Sequence, residues 1–241
     1  LAVLGAVGAF AAGPETTSPV LRYYYPVPPA NPPQVIEADV CVYGGTPGGV
    51  AAAVQSARMG KRVVLVVMRR HVGGMTSGGL TATDIGKRGA IGGFANEVYA
   101  RIGQTSGFKP SKAEAAFLGL LKEAGVTIYY EHLLKDVVKT GPRIESIRLE
   151  NGNTVRAKMF VDATYEGDLM AAAGVSFHVG REGNATYGET INGVQFRKTH
   201  NFAVPVDPYR VPGNPASGLL PTISAEPPGK AGEGDKKVQA Y

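Results

Sequence analysis

Residues 39–53 read DVCVYGGTPGGVAAA, and the fold turns on them. Val40-Cys41-Val42-Tyr43 is a short apolar run that ends in a glycine-rich turn, the pattern of a buried strand. Val50 to Met59 is rich in Ala and is followed by Gly60, which predicts a helix with a glycine C-cap. Arg62–Met68 (RVVLVVM) is strongly β-branched and predicts a second strand, parallel to the first. Strand, turn, helix and strand within about 30 residues make a βαβ unit.

Outward from this unit, residues 69–93 have little periodicity and many glycines, so they read as a long loop wrapping a ligand. Ile91–Ile102 predicts a helix. Ser111-Lys112-Ala113-Glu114 fits a capping box ahead of a helix over Ala115–Ala124, closed by Gly125. Val126–Glu131 predicts a strand. Asp136–Lys139, Arg143–Glu150 and Thr154–Ala157 read as an antiparallel meander with turns at Gly141-Pro142 and Asn151-Gly152. Met159–Asp162 reads as a further buried strand, leading into a helix around Asp168–Ala173. From Pro205 the composition is that of a linker.

A dinucleotide turn needs glycine at its first position for a tight bend, at its third for close approach to a pyrophosphate, and at its sixth for helix–strand packing. Gly44 and Gly49 fill the first and sixth places, and Thr46 stands in the third. Amides at the helix N-terminus would still face the phosphates. Val67 stands at the end of the second strand, where such folds place an acid for the ribose hydroxyls. Arg69 and Arg70 follow, and their charge leaves a 2′-phosphate, hence NADP, open at this point.

Arg69-Arg70-His71-Val72-Gly73-Gly74-Met75-Thr76-Ser77-Gly78-Gly79-Leu80 brings a second glycine pair directly after the second strand. The segments CVYGGTPGGVAAA, RRHVGGMTSGGLTATDIG and VDATYEGDLMAAAGVSFHVGRE resemble a family of bacterial FAD-dependent oxidoreductases of mostly unassigned substrate, of the glutathione-reductase type. The likeness runs from Asp39 to Tyr241 and includes the Pro-rich tail VDPYRVPGNPASGLLPTIS. It implies FAD as cofactor, with Gly44, Gly45, Thr46, Gly48 and Gly49 matching the pyrophosphate turn. Val67 matches the ribose position. Arg70, Gly73, Gly74 and Met75 match the loop beside ribose and flavin, and Ser77, Gly78, Thr83 and Asp84 a stretch near the isoalloxazine. Leu134 falls where backbone is offered to adenine. Ala163, Thr164, Gly167 and Asp168 match the element that closes over the adenosine half. The resemblance also implies further chain beyond Tyr241.

Bulk composition narrows the remaining classes. The 241 residues are 44% hydrophobic and 19% charged, ordinary for a globular protein, but the 33 glycines are roughly twice the usual share. The net charge of +5 is not gathered into a basic run, which argues against nucleic acid. Cys41 is the only cysteine, so an internal disulfide and a multi-cysteine metal site are excluded, and its apolar neighbours mark it as a small buried hydrophobe. His71 reads as an exposed loop residue. His132, His178 and His200 lack metal-ligand spacing and read as structural. Asp162, Glu166 and Asp168 could serve as paired acid–base groups, while helix capping explains Asp168 equally well. No catalytic residue is assigned. Residues 1–12 are apolar, small and too short to span a membrane; they resemble the core of a signal peptide, and a Pro-rich linker follows.

The expectation is an α/β fold with three parts: leader and linker over 1–37, a Rossmann-like FAD-binding domain with a parallel sheet and β-meander insertion over 38–173, and the start of a substrate-binding domain over 174–241. The expected chemistry is hydride transfer between a small organic substrate and flavin, in an exported protein without stable membrane insertion. An NAD(P)-dependent oxidoreductase and a non-catalytic nucleotide-binding module are the alternatives.

Overall fold

The computed structural model describes residues 26–237, apart from Thr81 and His200. The leader-like residues 1–12 and the histidine at 200 therefore lie outside the described residues. The chain divides into two compact units, residues 1–174 and 175–241.

In the first unit β1 (Val35–Tyr43), β2 (Val63–Val67), β3 (Thr127–Tyr130), β4 (Leu134–Thr140), β5 (Arg143–Leu149) and β6 (Thr154–Asp162) form one sheet in the order β3-β2-β1-β6-β5-β4. The strands β3, β2, β1 and β6 are parallel, whereas β6-β5-β4 is antiparallel. The sequence separates Thr154–Ala157 from Met159–Asp162, but these are one strand. Lys158, the polar residue at the apparent break, reaches back 2.9 Å to Asp39 of β1. The meander, inserted in chain order between β3 and the end of β6, shares β6 with the parallel sheet.

All five residues of β2 are buried, because both faces of the sheet are covered. One face packs on α1 (Pro47–Arg58), α3 (Gly93–Ile102) and α4 (Pro110–Glu123), with Val42, Leu65 and Val67 set against Val54, Phe117 and Leu121. On the other face Cys41, Tyr43, Val64 and Val66 join Ile147 and Leu149 of β5 in a second cluster, so the antiparallel half closes over the parallel half. Asp39 and Val40 both donate to the Arg62 carbonyl. This bulge sends Ile36, Ala38, Cys41 and Tyr43 to the same cluster.

The α4 stripe Ala113, Ala116, Phe117, Leu120 and Leu121 has the expected helical spacing. Its start differs from the capping box. Pro110, already suited to the first helical position, begins the helix, so Ser111 lies inside it and the N-cap residue Lys109 makes no side-chain cap bond. Glu114 instead accepts from the Val72 amide and pairs with His71. The stretch 69–93 is also not all loop: it holds α2 (Gly74–Ser77) and a 3-10 turn at Arg88–Ala90. A short helix α5 (Asp168–Ala172) ends the unit.

The second unit is built largely of loops around α6 (Asn184–Tyr187) and a 3-10 turn at Pro215–Ser217. Arg181 grips Asp235 through both backbone and side chain, with guanidinium contacts of 2.5 and 3.1 Å. The Pro-rich tail is not a plain linker. Tyr209 bridges to Leu219, and the Asp207 carboxylate accepts from the Tyr209 and Gly213 amides. Among the described residues no helix is long and apolar enough to cross a membrane.

Candidate functional site

Gly44 leaves β1 at a φ of +115°, and a Cβ there would stand 2.5 Å from the Ala163 carbonyl carbon. Only glycine makes this turn so close to β6. At Gly49 a Cβ would lie 2.0 Å from the Gly44 carbonyl oxygen. Between them Thr46 caps α1: its hydroxyl accepts from the Gly49 amide at 3.1 Å and donates to the Ala163 carbonyl at 2.7 Å. A side chain at the third position therefore fastens the turn to the end of β6, a bond that glycine could not make. Around Gly48 the turn is open, since a Cβ would meet only the Thr46 hydroxyl at 3.7 Å. The Gly48 amide has no acceptor in its own helix. No acid stands in the first turn of α1, so its positive end is unopposed and suits an anion.

The second glycine pair is joined directly to this turn. The Gly73 amide donates to the Gly45 carbonyl at 2.7 Å. Gly73 and Gly74 have φ of +94° and +48°. A Cβ on Gly73 would strike the Phe117 ring, and one on Gly74 would stand 2.1 Å from the Tyr165 hydroxyl and 3.2 Å from the Pro47 ring. That hydroxyl accepts from the Met75 amide at 2.8 Å. Tyr165 thus closes the turn, the second glycine pair and the end of β6 into one cluster at the carboxyl ends of β1, β2 and β6. Sequence reasoning passed over Tyr165, because its partner lies 90 positions away.

Not every expected residue presents itself there. The Ser77 hydroxyl, expected near the isoalloxazine, turns inward and donates to the Val72 carbonyl. Thr83 bonds through its amide to Ser106 and through its hydroxyl to Tyr99. Leu134, expected to offer backbone to adenine, has its amide committed to the Tyr43 hydroxyl at 2.7 Å. Met75, by contrast, is exposed.

Val67 is buried against Gly45, with a methyl 2.8 Å from where a Gly45 Cβ would stand. The carboxylate position of the usual fold is filled by hydrocarbon. Arg70 points instead to Glu131, Nε to Oε1 at 2.7 Å. The contact engages Nε alone, and the Arg70 side chain is 74% exposed.

The acidic cluster resolves into a cap. Asp162 Oδ1 accepts from the Thr164 amide and hydroxyl, and Oδ2 from the Met170 amide. The Thr164 hydroxyl accepts from the amides of Gly167 and Asp168. Thr164 and Asp162 therefore satisfy the N-terminus of α5, while Asp168 lies in its first turn and caps nothing. Burial, then the nearby charges of Glu166 and Asp162, push the Asp168 carboxyl above its ordinary pKa. Both Asp162 oxygens are thus held by hydrogen bonds to the Thr164–Met170 segment.

His132 is structural, lying between the Tyr130 carbonyl and the Asn153 amide. Cys41 is fully buried, and burial pushes its thiol up to about 12. Among the described residues no group of His, Cys, Asp or Glu could hold a metal. A cavity of about 500 Å³ lined by Gln34, Glu37, Lys61, Arg62 and Gly125 opens at the amino ends of β1, β2 and β3. Ligands of such sheets bind at the opposite, carboxyl edge, where the glycine turns lie.

The family model for FAD-dependent oxidoreductases matches residues 39–241. No curated protein matches the chain. Among solved structures, a geranylgeranyl bacteriochlorophyll reductase-like protein from Thermoplasma acidophilum is similar at 19% identity and a TM-score of 0.45, over 59% of this chain and 43% of that one. The L-proline dehydrogenase from P. horikoshii is similar at 15% identity and a TM-score of 0.46, over 63% and 59% respectively. A 3-ketosteroid dehydrogenase from Rhodococcus jostii is similar at 16% identity and a TM-score of 0.40, over 53% and 45%. The matched part of this chain thus spans about half the length of these proteins.

Proposed function

The chain belongs to the FAD-dependent oxidoreductase family, and from that premise we propose that it holds FAD at the joined glycine turns and serves hydride transfer to or from a small organic substrate. The observation that carries this reading is the bond from the Gly73 amide to the Gly45 carbonyl. It fuses the pyrophosphate turn with the second glycine pair, an arrangement that an extended flavin dinucleotide uses and that supports the glutathione-reductase subtype. The residues present fit the group: a positive helix end with the Gly48 amide free of its own helix, no opposing acid, and glycines at 44, 49, 73 and 74 where a Cβ would collide.

Bound FAD supplies the two-electron redox chemistry. The chain's own residues bind and orient. Gly48 and its neighbours at the α1 N-terminus neutralise the pyrophosphate. Thr46 holds that turn on β6, and Tyr165 with Gly73 and Gly74 fixes the loop beside it. The nicotinamide alternative is disfavoured by the second glycine pair at Gly73-Gly74, which a nicotinamide-binding turn does not need.

The substrate class is tested by mixing the intact, oxidised protein with panels of amines, alcohols and hydroxy acids without oxygen. Bleaching of the oxidised-flavin absorbance by one class identifies the donor. A protein that carries flavin yet is reduced by none of these classes, nor by a nicotinamide donor, would count against a redox role. The apolar run of residues 1–12 supports export as part of the same proposal.

A further inference from the structure

The site lacks one element that a bound adenosine requires. Val67 occupies the usual carboxylate position, and its burial against Gly45 leaves no polar group there for the ribose hydroxyls. The neighbouring strand supplies one. β3 runs parallel to β2 with Tyr130 opposite Val67, so Glu131 emerges one residue further along the same carboxyl edge. Its amide donates to the Arg69 carbonyl, and the His132 amide donates to the Val67 carbonyl at 3.1 Å, so the chain folds across the end of β2.

Glu131 holds an unusual backbone conformation, φ +57°, one of two described non-glycine residues in the left-handed region. Such a conformation persists where the surroundings impose it. Arg70 Nε binds Oε1, whereas Oε2 accepts no protein hydrogen bond among the described residues, and the side chain is 41% exposed. Parallel strands stand about 4.8 Å apart, a gap that a glutamate side chain spans.

We propose that Glu131, held by Arg70, is the carboxylate that binds the ribose hydroxyls of the adenosine half, replacing the acid that position 67 lacks. The inference rests on the FAD reading above. Oε2 accepts hydrogen bonds from the ribose hydroxyls, and the Arg70 contact at Oε1 aims the carboxylate. The same carboxylate sets cofactor choice: a 2′-phosphate would face its free, like-charged oxygen. The edge therefore takes a diol and rejects a phosphate.

The test is a fluorescence titration of the intact apoprotein with FAD and with an FAD analogue whose adenosine is 2′,3′-dideoxy. Wild type is compared with Glu131→Gln, which keeps size and shape, and with Glu131→Gly, which suits the left-handed backbone and guards against misfolding. Glu131→Gln is expected to weaken FAD binding about tenfold, as loss of charge-assisted bonds does. It should leave binding of the dideoxy analogue unchanged, with Glu131→Gly behaving alike. Equal losses for both ligands would mean that Glu131 acts only through the fold, and no loss for either would mean that the ribose is held elsewhere; both results overturn the proposal. If wild type takes up neither ligand, the FAD reading itself fails, an outcome separate from failure at Glu131.

Discussion

Replacing Gly49 by Ala is the sharpest perturbation that the structure offers. The new Cβ would stand 2.0 Å from the Gly44 carbonyl oxygen and 3.1 Å from the Ala163 methyl. Ordinary contact begins near 3.4 Å, so the helix start must retreat by more than an ångström. It cannot do so alone, because Thr46 ties the same turn to Ala163 at 2.7 Å. Overpacking of this kind costs roughly 1–3 kcal/mol, and a backbone oxygen as the colliding atom argues for the upper end. At about 2–4 °C per kcal/mol for a protein of this size, melting should fall by roughly 6–12 °C. FAD should be lost together with stability, since the displaced amides are those that face the pyrophosphate and cofactor binding itself stabilises the fold. Gly48→Ala is the control one residue away. Its Cβ meets no protein atom closer than 3.7 Å, so stability should survive, and any loss of flavin there would come without the fall in melting. The assay is thermal melting followed by flavin occupancy of the purified variants. A Gly49→Ala protein that melts like wild type with full flavin would refute the reasoning, as would a Gly48→Ala protein that loses both.

Thr46→Val keeps the shape but removes both the cap and the bond to Ala163, so it should cost about 1–2 kcal/mol and weaken FAD binding, measured by denaturant unfolding and by titration. Cys41, with its thiol pushed up to about 12 by burial, should resist alkylation at neutral pH in the folded protein and react once unfolded; mass spectrometry after an iodoacetamide pulse reads this directly. Asp39 is held down to about 2, mainly by its bond from the Arg62 amide and then by Lys158. A depressed carboxylate stabilises the fold above its ordinary pKa of 3.8, and this is lost as pH falls from about 4 through 2. Asp39→Asn should therefore flatten the acid limb of the stability profile over that window, and an unchanged limb would show that the carboxylate contributes nothing.

The βαβ core was legible because its signals are local. The glycine turn, the alanine-rich helix and the β-branched run each declare themselves within a few residues, and the structure places them at Val35–Tyr43, Pro47–Arg58 and Val63–Val67. The capping box at Ser111 misled because Pro110 starts the helix earlier, and a fixed φ outranks a side-chain cap. Lys158 hid the continuity of β6, since its partner Asp39 lies on another strand. Thr46 looked like a defect in the glycine pattern. Its value depends on the Ala163 carbonyl, far away in sequence, as that of Tyr165 depends on the Met75 amide. Glu131 is an acid directly after the third parallel strand, where the second strand ends in Val67 without one.

The central claim of the proposed function is that the two glycine turns together hold FAD. Heat release of the ligand from the intact purified protein, with chromatography and absorption spectra of what emerges, tests that claim most directly. The account predicts a yellow protein that releases FAD in about a one-to-one ratio. A colourless protein that takes up no FAD, or one that releases NADP or FMN instead, would contradict it.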